Sequence, residues 1–192
     1  MDLGAGAGHL GKAVAGHFSH VAGVEDDPSV APPEGAYDRW ITGPADAPRT
    51  WERSFDVIVC ADILEHLSDP ASLLVLARRW IAPQGLLLVS IPNVANLAIR
   101  LSLLAGRFEY AETGILDRTH LRFFTRRSAR RLILETGFRI TRARATPVPA
   151  ELAIPALGRA PLRGITRGLC AAGARLWPTL FGYQFLFDAR PA

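Results

Sequence analysis

Apolar runs and turn signals alternate along the chain in a βα rhythm up to about residue 145. Short β-branched runs bounded by turn residues suit strands buried on both faces, and their alternation with helical segments predicts a parallel sheet. A glycine-rich loop at 2–8 leads into a helix near Gly11 to Phe18. His20 to Val24 reads as a strand ending in Glu25-Asp26-Asp27, and Pro28 breaks the pattern. Residues 28–53 hold five of the 14 prolines, which leaves only Tyr37 to Ile41 as a strand there.

Phe55 to Ala61 (FDVIVCA) is a run of buried-strand type. Asp69-Pro70 then opens a helix from about Ala71 to Ile81, Gln84-Gly85 turns the chain, and Leu86 to Ile91 is the next buried strand. Asn96 to Ala105 reads as a helix and Gly106 to His120 as a polar loop. Thr125 is an N-cap for a helix to Glu135 that Gly137 closes. Phe138 to Ala143 and Gln184 to Ala189 are the last strands. Between them Ala150 to Leu180 is rich in Pro, Gly, Arg and Leu. Its Leu162 to Leu176 stretch is imperfectly amphipathic, with Arg163, Arg167 and Arg175 near Leu169 and Leu176. It reads as a surface helix, with weak membrane-surface contact through 160–180 as the alternative.

Composition narrows this picture. With 192 residues, 49% of them hydrophobic, the chain supports one packed domain over 1–192, with 150–180 as a helical insert before the last strand. Lys12 is the sole lysine, and the arginines spread over the second half instead of forming a stripe with aromatics, so no nucleic-acid partner is expected. Cys60 and Cys170 are too far apart in sequence to read as a disulfide framework or a zinc pair. His9, His17 and His20 lack metal-ligand spacing, and no metal is expected. A reduced, cytoplasmic setting follows, as no signal peptide is evident. Leu86 to Leu104 is apolar but carries Pro92, Asn93, Asn96 and Arg100, so it reads as a strand and helix instead of a membrane span.

The chemistry starts at Asp2-Leu-Gly-Ala-Gly-Ala-Gly8. Gly4, Gly6 and Gly8 remove Cβ atoms where a strand turns sharply into a helix, so backbone can approach a ligand, and the helix N-terminus offers N–H groups to an anion. The loop alone names no cofactor. Gly6, Gly8 and Gly11 also satisfy GxGxxG, with Glu25 at a distance suited to a ribose, so an NAD-dependent oxidoreductase is an alternative.

The segments that follow, in order, are VAGVEDDP at 21–28, SFDVIVCADILEHLSDP at 54–70, PQGLLLVSIPN at 83–93, GILDRTHLRFFT at 114–125 and ETGF at 135–138. With these the chain resembles class I S-adenosylmethionine (SAM) dependent methyltransferases, in particular bacterial small-molecule enzymes associated with glycosyltransferases. The resemblance implies an α/β, Rossmann-like three-layer sandwich. Its sheet would be mostly parallel and seven-stranded, with an antiparallel last strand and a first strand largely missing at the N-terminus.

It also implies roles. Asp2, Gly4, Gly6 and Gly8 would form the methionine side of a SAM pocket, and Glu25 would accept from both ribose hydroxyls. Gly43-Pro44 stands where such enzymes carry a Gly-Asp pair for adenine, so Asp46 or backbone groups would serve. Asp62 and Leu64 would contact the cofactor below the methyl. Glu65 and His66 either line that pocket or anchor the loop as a helix-start pair. His120, in the loop on the acceptor side, would be the general base for a hydroxyl, or a structural histidine bonded to Asp117 or backbone. Arg118 and Arg122 would bind an anionic acceptor or solvate the loop. The acceptor class is a small molecule: a glycan, lipid-linked or quinone-like hydroxyl.

Resembling proteins carry a longer strand and a helix before the position of Asp2. The expectation is therefore that Met1 is a misassigned start or a truncation boundary, and that a truncated, inactive cofactor-binding module is the second alternative.

Overall fold

A computed structural model of the chain describes residues 1–51, 54–149 and 162–192. The first strand, β1 (Asp2–Leu3), lies between β2 (Ala22–Glu25) and β4 (Phe55–Ala61), parallel to both; β3 (Arg39–Thr42) extends the sheet beyond β2. On the other side β5 (Ile81–Pro92) pairs parallel with β4. It is followed by β7 (Gly182–Pro191), antiparallel to β5 and to the edge strand β6 (Phe138–Pro147). The order β3-β2-β1-β4-β5-β7-β6 is the mostly parallel, seven-stranded sheet with an antiparallel last strand that was expected.

Helices α1 (His9–Val14), α2 (Pro70–Trp80), α3 (Leu97–Leu104), α4 (Arg126–Glu135), α5 (Leu162–Leu176) and α6 (Pro178–Phe181) connect the strands. Local chemistry sets their ends. Asp69 caps α2 by accepting the Ala71 N–H at 3.1 Å, and Pro70 sits in the first turn, where no N–H is needed. Thr125 caps α4 through a reciprocal box with Ser128, and Gly137 follows the helix at φ +85. The apolar faces close over the sheet, burying Ile58, Leu74, Leu87, Ile133 and Phe185 completely.

Four elements differ from expectation by several residues. Helix α1 begins at His9 and stops at Val14, short of Phe18, because Ala15 leaves helical geometry and Gly16 takes φ +79. Strand β5 begins at Ile81, and the expected Gln84-Gly85 turn is a register shift within it: Phe55 faces Ile81, then Val57 faces Leu86. Strands β6 and β7 each run several residues further because they pair with one another along Phe138 to Pro147.

At the head of the sheet, the Met1 ammonium donates to the Val57 carbonyl at 2.8 Å, and the Val59 N–H donates to the Met1 carbonyl at 2.9 Å. A cavity of about 130 Å³ lies beside Met1, lined by Leu10, Val14, Phe18, Val57 and Leu88 among others. The first part of the expected insert, 150–161, lies outside the described residues. Leu162–Leu176 is the expected helix, with Leu169 and Leu176 exposed. Among the described residues no helix is long and apolar enough to cross a membrane.

Candidate functional site

The glycine loop leaves β1 with all three of its glycines in left-handed backbone, at φ +73, +50 and +73 for Gly4, Gly6 and Gly8. Their surroundings differ. A Cβ on Gly4 would lie 2.7 Å from Ile63 Cδ1, and one on Gly8 would lie 2.3 Å from Pro33 Cδ, whereas one on Gly6 would meet nothing within 4 Å. Gly4 and Gly8 are therefore packed against protein, and Gly6 faces the open side of the loop.

Glu25, at the end of β2, holds that open side in place. Its Oε2 accepts the Gly6 N–H at 2.6 Å and its Oε1 accepts the Asp27 N–H at 3.1 Å. Each carboxylate oxygen retains capacity for another donor, so the group is oriented without being used up. Beneath the loop, the Tyr37 hydroxyl donates to Asp2 Oδ2 at 2.7 Å and accepts the Gly11 N–H at 3.2 Å. Burial raises the Asp2 carboxyl above its usual range, and the Tyr37 bond opposes that. Asp2 is thus a buttress under the loop, 4% exposed, while Gly6 and Glu25 form its accessible face.

The turn after β3 adjoins this face, because the Gly43 N–H donates to the Glu25 carbonyl at 2.8 Å. Asp46 lies in that turn, whose shape Arg49 sets by donating to the carbonyls of Pro44 at 2.6 Å and Ala47 at 3.1 Å. Asp62, beyond β4, stands at φ +51, the one described non-glycine residue in left-handed backbone. Gln184 Nε2 donates to both its oxygens at 2.9 Å, and Ser90 Oγ donates to Oδ1 at 3.0 Å. Leu64 departs from its expected role. It is 0% exposed and packed in the core, so its side chain anchors the segment instead of lining an accessible pocket.

Ile63, whose side chain meets Gly4, leads directly into the short 3-10 turn Leu64–His66. The Glu65 carbonyl accepts the N–H groups of Leu121 at 2.8 Å and Arg122 at 2.9 Å, which docks the 106–124 loop here. The backbone of Glu65 is thus a loop anchor. Its carboxylate does something else: it is 1% exposed, and neither oxygen has a hydrogen-bond partner. Burial pushes this carboxyl up to about 8, with the Asp62 charge adding to the shift.

His120 meets Glu65 from the docked loop. Its Nδ1 lies 3.1 Å from the Ile115 carbonyl, which can only accept and so makes Nδ1 the donor; among the described residues Nε2 has no hydrogen-bond partner. His66 stacks edge-on against it with ring centroids 4.8 Å apart. Thr119 Oγ1 donates its one proton to Asp117 Oδ1 at 2.7 Å, so at 3.2 Å from His66 Nδ1 it acts as the acceptor. His66 therefore also carries its proton on Nδ1. Burial lowers the His66 pKa, and the neighbouring His120 lowers it further. Arg118 and Arg122 are held by protein partners: Arg118 pairs with Glu112, and Arg122 Nε donates to the Ser68 carbonyl at 3.1 Å.

Glu65, His66 and His120 present ligand-type atoms that all lie within 4.8 Å of one another. Sequence spacing concealed this grouping, since the expectation of no metal looked only at His9, His17, His20 and the cysteines. Tyr37, Gln184 and Thr119 were also missed. They act on Asp2, Asp62 and His66 across separations of 35, 122 and 53 residues, where no local pattern could expose them.

The profile of the family described as Methyltransferase domain matches residues 1–143. Among curated proteins, the ubiquinone biosynthesis O-methyltransferase of Hydrogenovibrio crunogenus is 29% identical over 101 residues, covering 48% of this chain and 42% of that protein. The chain thus spans less than half the length of that relative. Among solved structures, the CcbJ methyltransferase of Streptomyces caelestis aligns with TM-score 0.65 at 15% identity, covering 100% of this chain and 82% of that one. Magnesium protoporphyrin IX methyltransferase of Synechocystis, solved with S-adenosylhomocysteine (SAH), aligns with TM-score 0.62 at 15% identity, covering 100% and 73%. The NAD reading of the glycine loop fails on topology: the dinucleotide fold runs 3-2-1-4-5-6, whereas here an antiparallel β7 is inserted between β5 and β6. The chain belongs to the methyltransferase-domain family and has the fold of the class I SAM-dependent methyltransferases.

Proposed function

We propose that this domain transfers the methyl group of SAM to a hydroxyl oxygen of a small-molecule acceptor, and that the acceptor is a quinone-like phenol. The observation that carries the reading is the contact of Gly4 with Ile63, which sets the Glu25-bound loop beside the segment holding Glu65 and His66, on which the loop carrying His120 docks. The name of the curated relative supports an O-linked, phenolic acceptor over a glycan or lipid-linked one.

In this reading Gly6 and its neighbours receive the methionine part of SAM, Glu25 the ribose hydroxyls, and the turn with Asp46 the adenine side. Asp62, immobilised by Gln184 and Ser90, borders the cofactor near the methyl. The reaction is an in-line displacement. The acceptor oxygen forms a bond to the methyl carbon as the carbon–sulfur bond breaks, and the sulfonium becomes the neutral thioether of SAH. Alignment and exclusion of water supply most of the rate. The hydroxyl proton passes to Nε2 of His120, whose tautomer the Ile115 carbonyl sets. Free thiols at Cys60 and Cys170 fit a reducing, cytoplasmic setting.

Calorimetry with SAH and with NAD, followed by tritiated-methyl transfer to a lipid extract and to phenolic acceptors, tests the reading. SAH binding without NAD binding, and label in a phenolic product, are expected. Label confined to glycan would overturn the acceptor class, and NAD binding without SAH would overturn the function.

A further inference from the structure

The strongest unexplained feature of the molecule is a buried carboxylate with no partner. Burying a carboxyl without a compensating hydrogen bond is costly in either protonation state, yet both oxygens of Glu65 are without hydrogen bonds at 1% exposure. What faces them is a pair of imidazoles. Each ring uses Nδ1–H elsewhere, His120 at the Ile115 carbonyl and His66 at Thr119 Oγ1, so each is left with an Nε2 lone pair. Metal-bound histidines characteristically donate their second ring nitrogen to a carbonyl, a carboxylate or a similar fixed acceptor. Here the Asp117–Thr119–His66 chain and the Ile115–His120 bond supply that outer support.

From this geometry we infer that Glu65, His66 and His120 form a binding site for one divalent first-row transition metal, of the class of Zn²⁺, Mn²⁺, Fe²⁺ or Co²⁺. Two imidazoles with one carboxylate suit these ions, whereas Mg²⁺ and Ca²⁺ prefer oxygen ligands throughout. Tetrahedral donors at about 2.0–2.2 Å from one ion lie about 3.3–3.6 Å apart. The observed limit of 4.8 Å therefore has to close by somewhat more than an ångström on binding. Three protein ligands leave a coordination position open, and the partly exposed His66 puts that opening on the solvent side.

The use of the ion rests on the methyl-transfer reading above. An acceptor hydroxyl bound at the open position ionises at a lower pH, its proton leaving to water. The oxygen then forms the C–O bond as the C–S bond of SAM breaks, with no change of oxidation state. Proton transfer to His120 Nε2 is the route of the metal-free protein; in the loaded protein that lone pair holds the ion.

The test needs neither cofactor nor acceptor. Chelator-stripped protein is titrated with Co²⁺, read by its visible absorption, and with Zn²⁺ and Mg²⁺ by calorimetry. One Co²⁺ or Zn²⁺ per chain is expected, with Mg²⁺ at least tenfold weaker. Glu65→Gln and His120→Ala should each weaken binding more than tenfold, while H9A/H17A/H20A leaves it unchanged. Because Glu65→Gln breaks no hydrogen bond of the carboxyl, the metal-free variant should melt no lower than the metal-free parent, which a purely structural carboxylate would not allow. Absence of saturable binding, or binding that survives both ligand substitutions, overturns the site. SAH titration of the same samples separates the two ideas: SAH binding without metal binding sinks the site alone, and metal binding without SAH binding supports the site while removing the methyl-transfer reading.

Discussion

Glu25 Oε2 accepts the Gly6 N–H at 2.6 Å, linking the end of β2 to the apex of the glycine loop across 19 residues. The carboxylate that would meet the ribose thus also sets the loop that would meet the methionine end. Losing it should damage both ends of the cofactor site together. Glu25→Ala is expected to weaken SAH binding by about 1.5–3 kcal/mol, the usual worth of hydrogen bonds to a charged group, or roughly tenfold or more. Glu25→Gln, which keeps one acceptor oxygen, should lose less. Calorimetry with SAH on both variants checks the order.

The loop glycines should separate stability from binding. Gly6→Ala puts a methyl into open space at φ +50, at a cost of about 1–2 kcal/mol for left-handed backbone. It should fold with a modestly lowered Tm and lose most of its SAH affinity. Gly8→Ala carries the same backbone cost and a clash with Pro33 at 2.3 Å, so its Tm should fall further. Equal melting losses in the two variants would contradict the packing described.

The two thiols should differ sharply in reactivity. Cys60 lies in β4 at 0% exposure, and burial pushes its pKa up to about 12, so at pH 8 almost none of it is the reactive thiolate. Cys170, on α5, is only partly buried. A disulfide reagent at pH 8 should modify one thiol per native chain quickly, at Cys170, and the second only after unfolding. Rapid modification of both would show that β4 opens in the native state.

Much of the fold was legible from local order. The FDVIVCA run, the Asp69-Pro70 start of α2 and the Thr125 cap each announce their element within a few residues, because strand burial and helix capping are short-range effects. The segment order at 2–8, 21–28, 54–70 and 83–93 likewise carries the resemblance to methyltransferases, and Glu25, at the end of β2, is where that resemblance implies a ribose contact.

Tertiary structure decided the rest. It moved Leu64 into the core, made Asp2 a buttress through Tyr37, and gave Arg118 and Arg122 protein partners. It also brought Glu65 and His66 against His120, more than fifty positions along the chain, by docking the 106–124 loop on the Glu65 carbonyl. The sequence by itself determined which elements form and where the glycine loop turns, since those depend on neighbouring residues. Which side chains lose water and face one another is set by long-range docking, and that is why the partnerless carboxylate between two imidazoles emerges only in the folded chain.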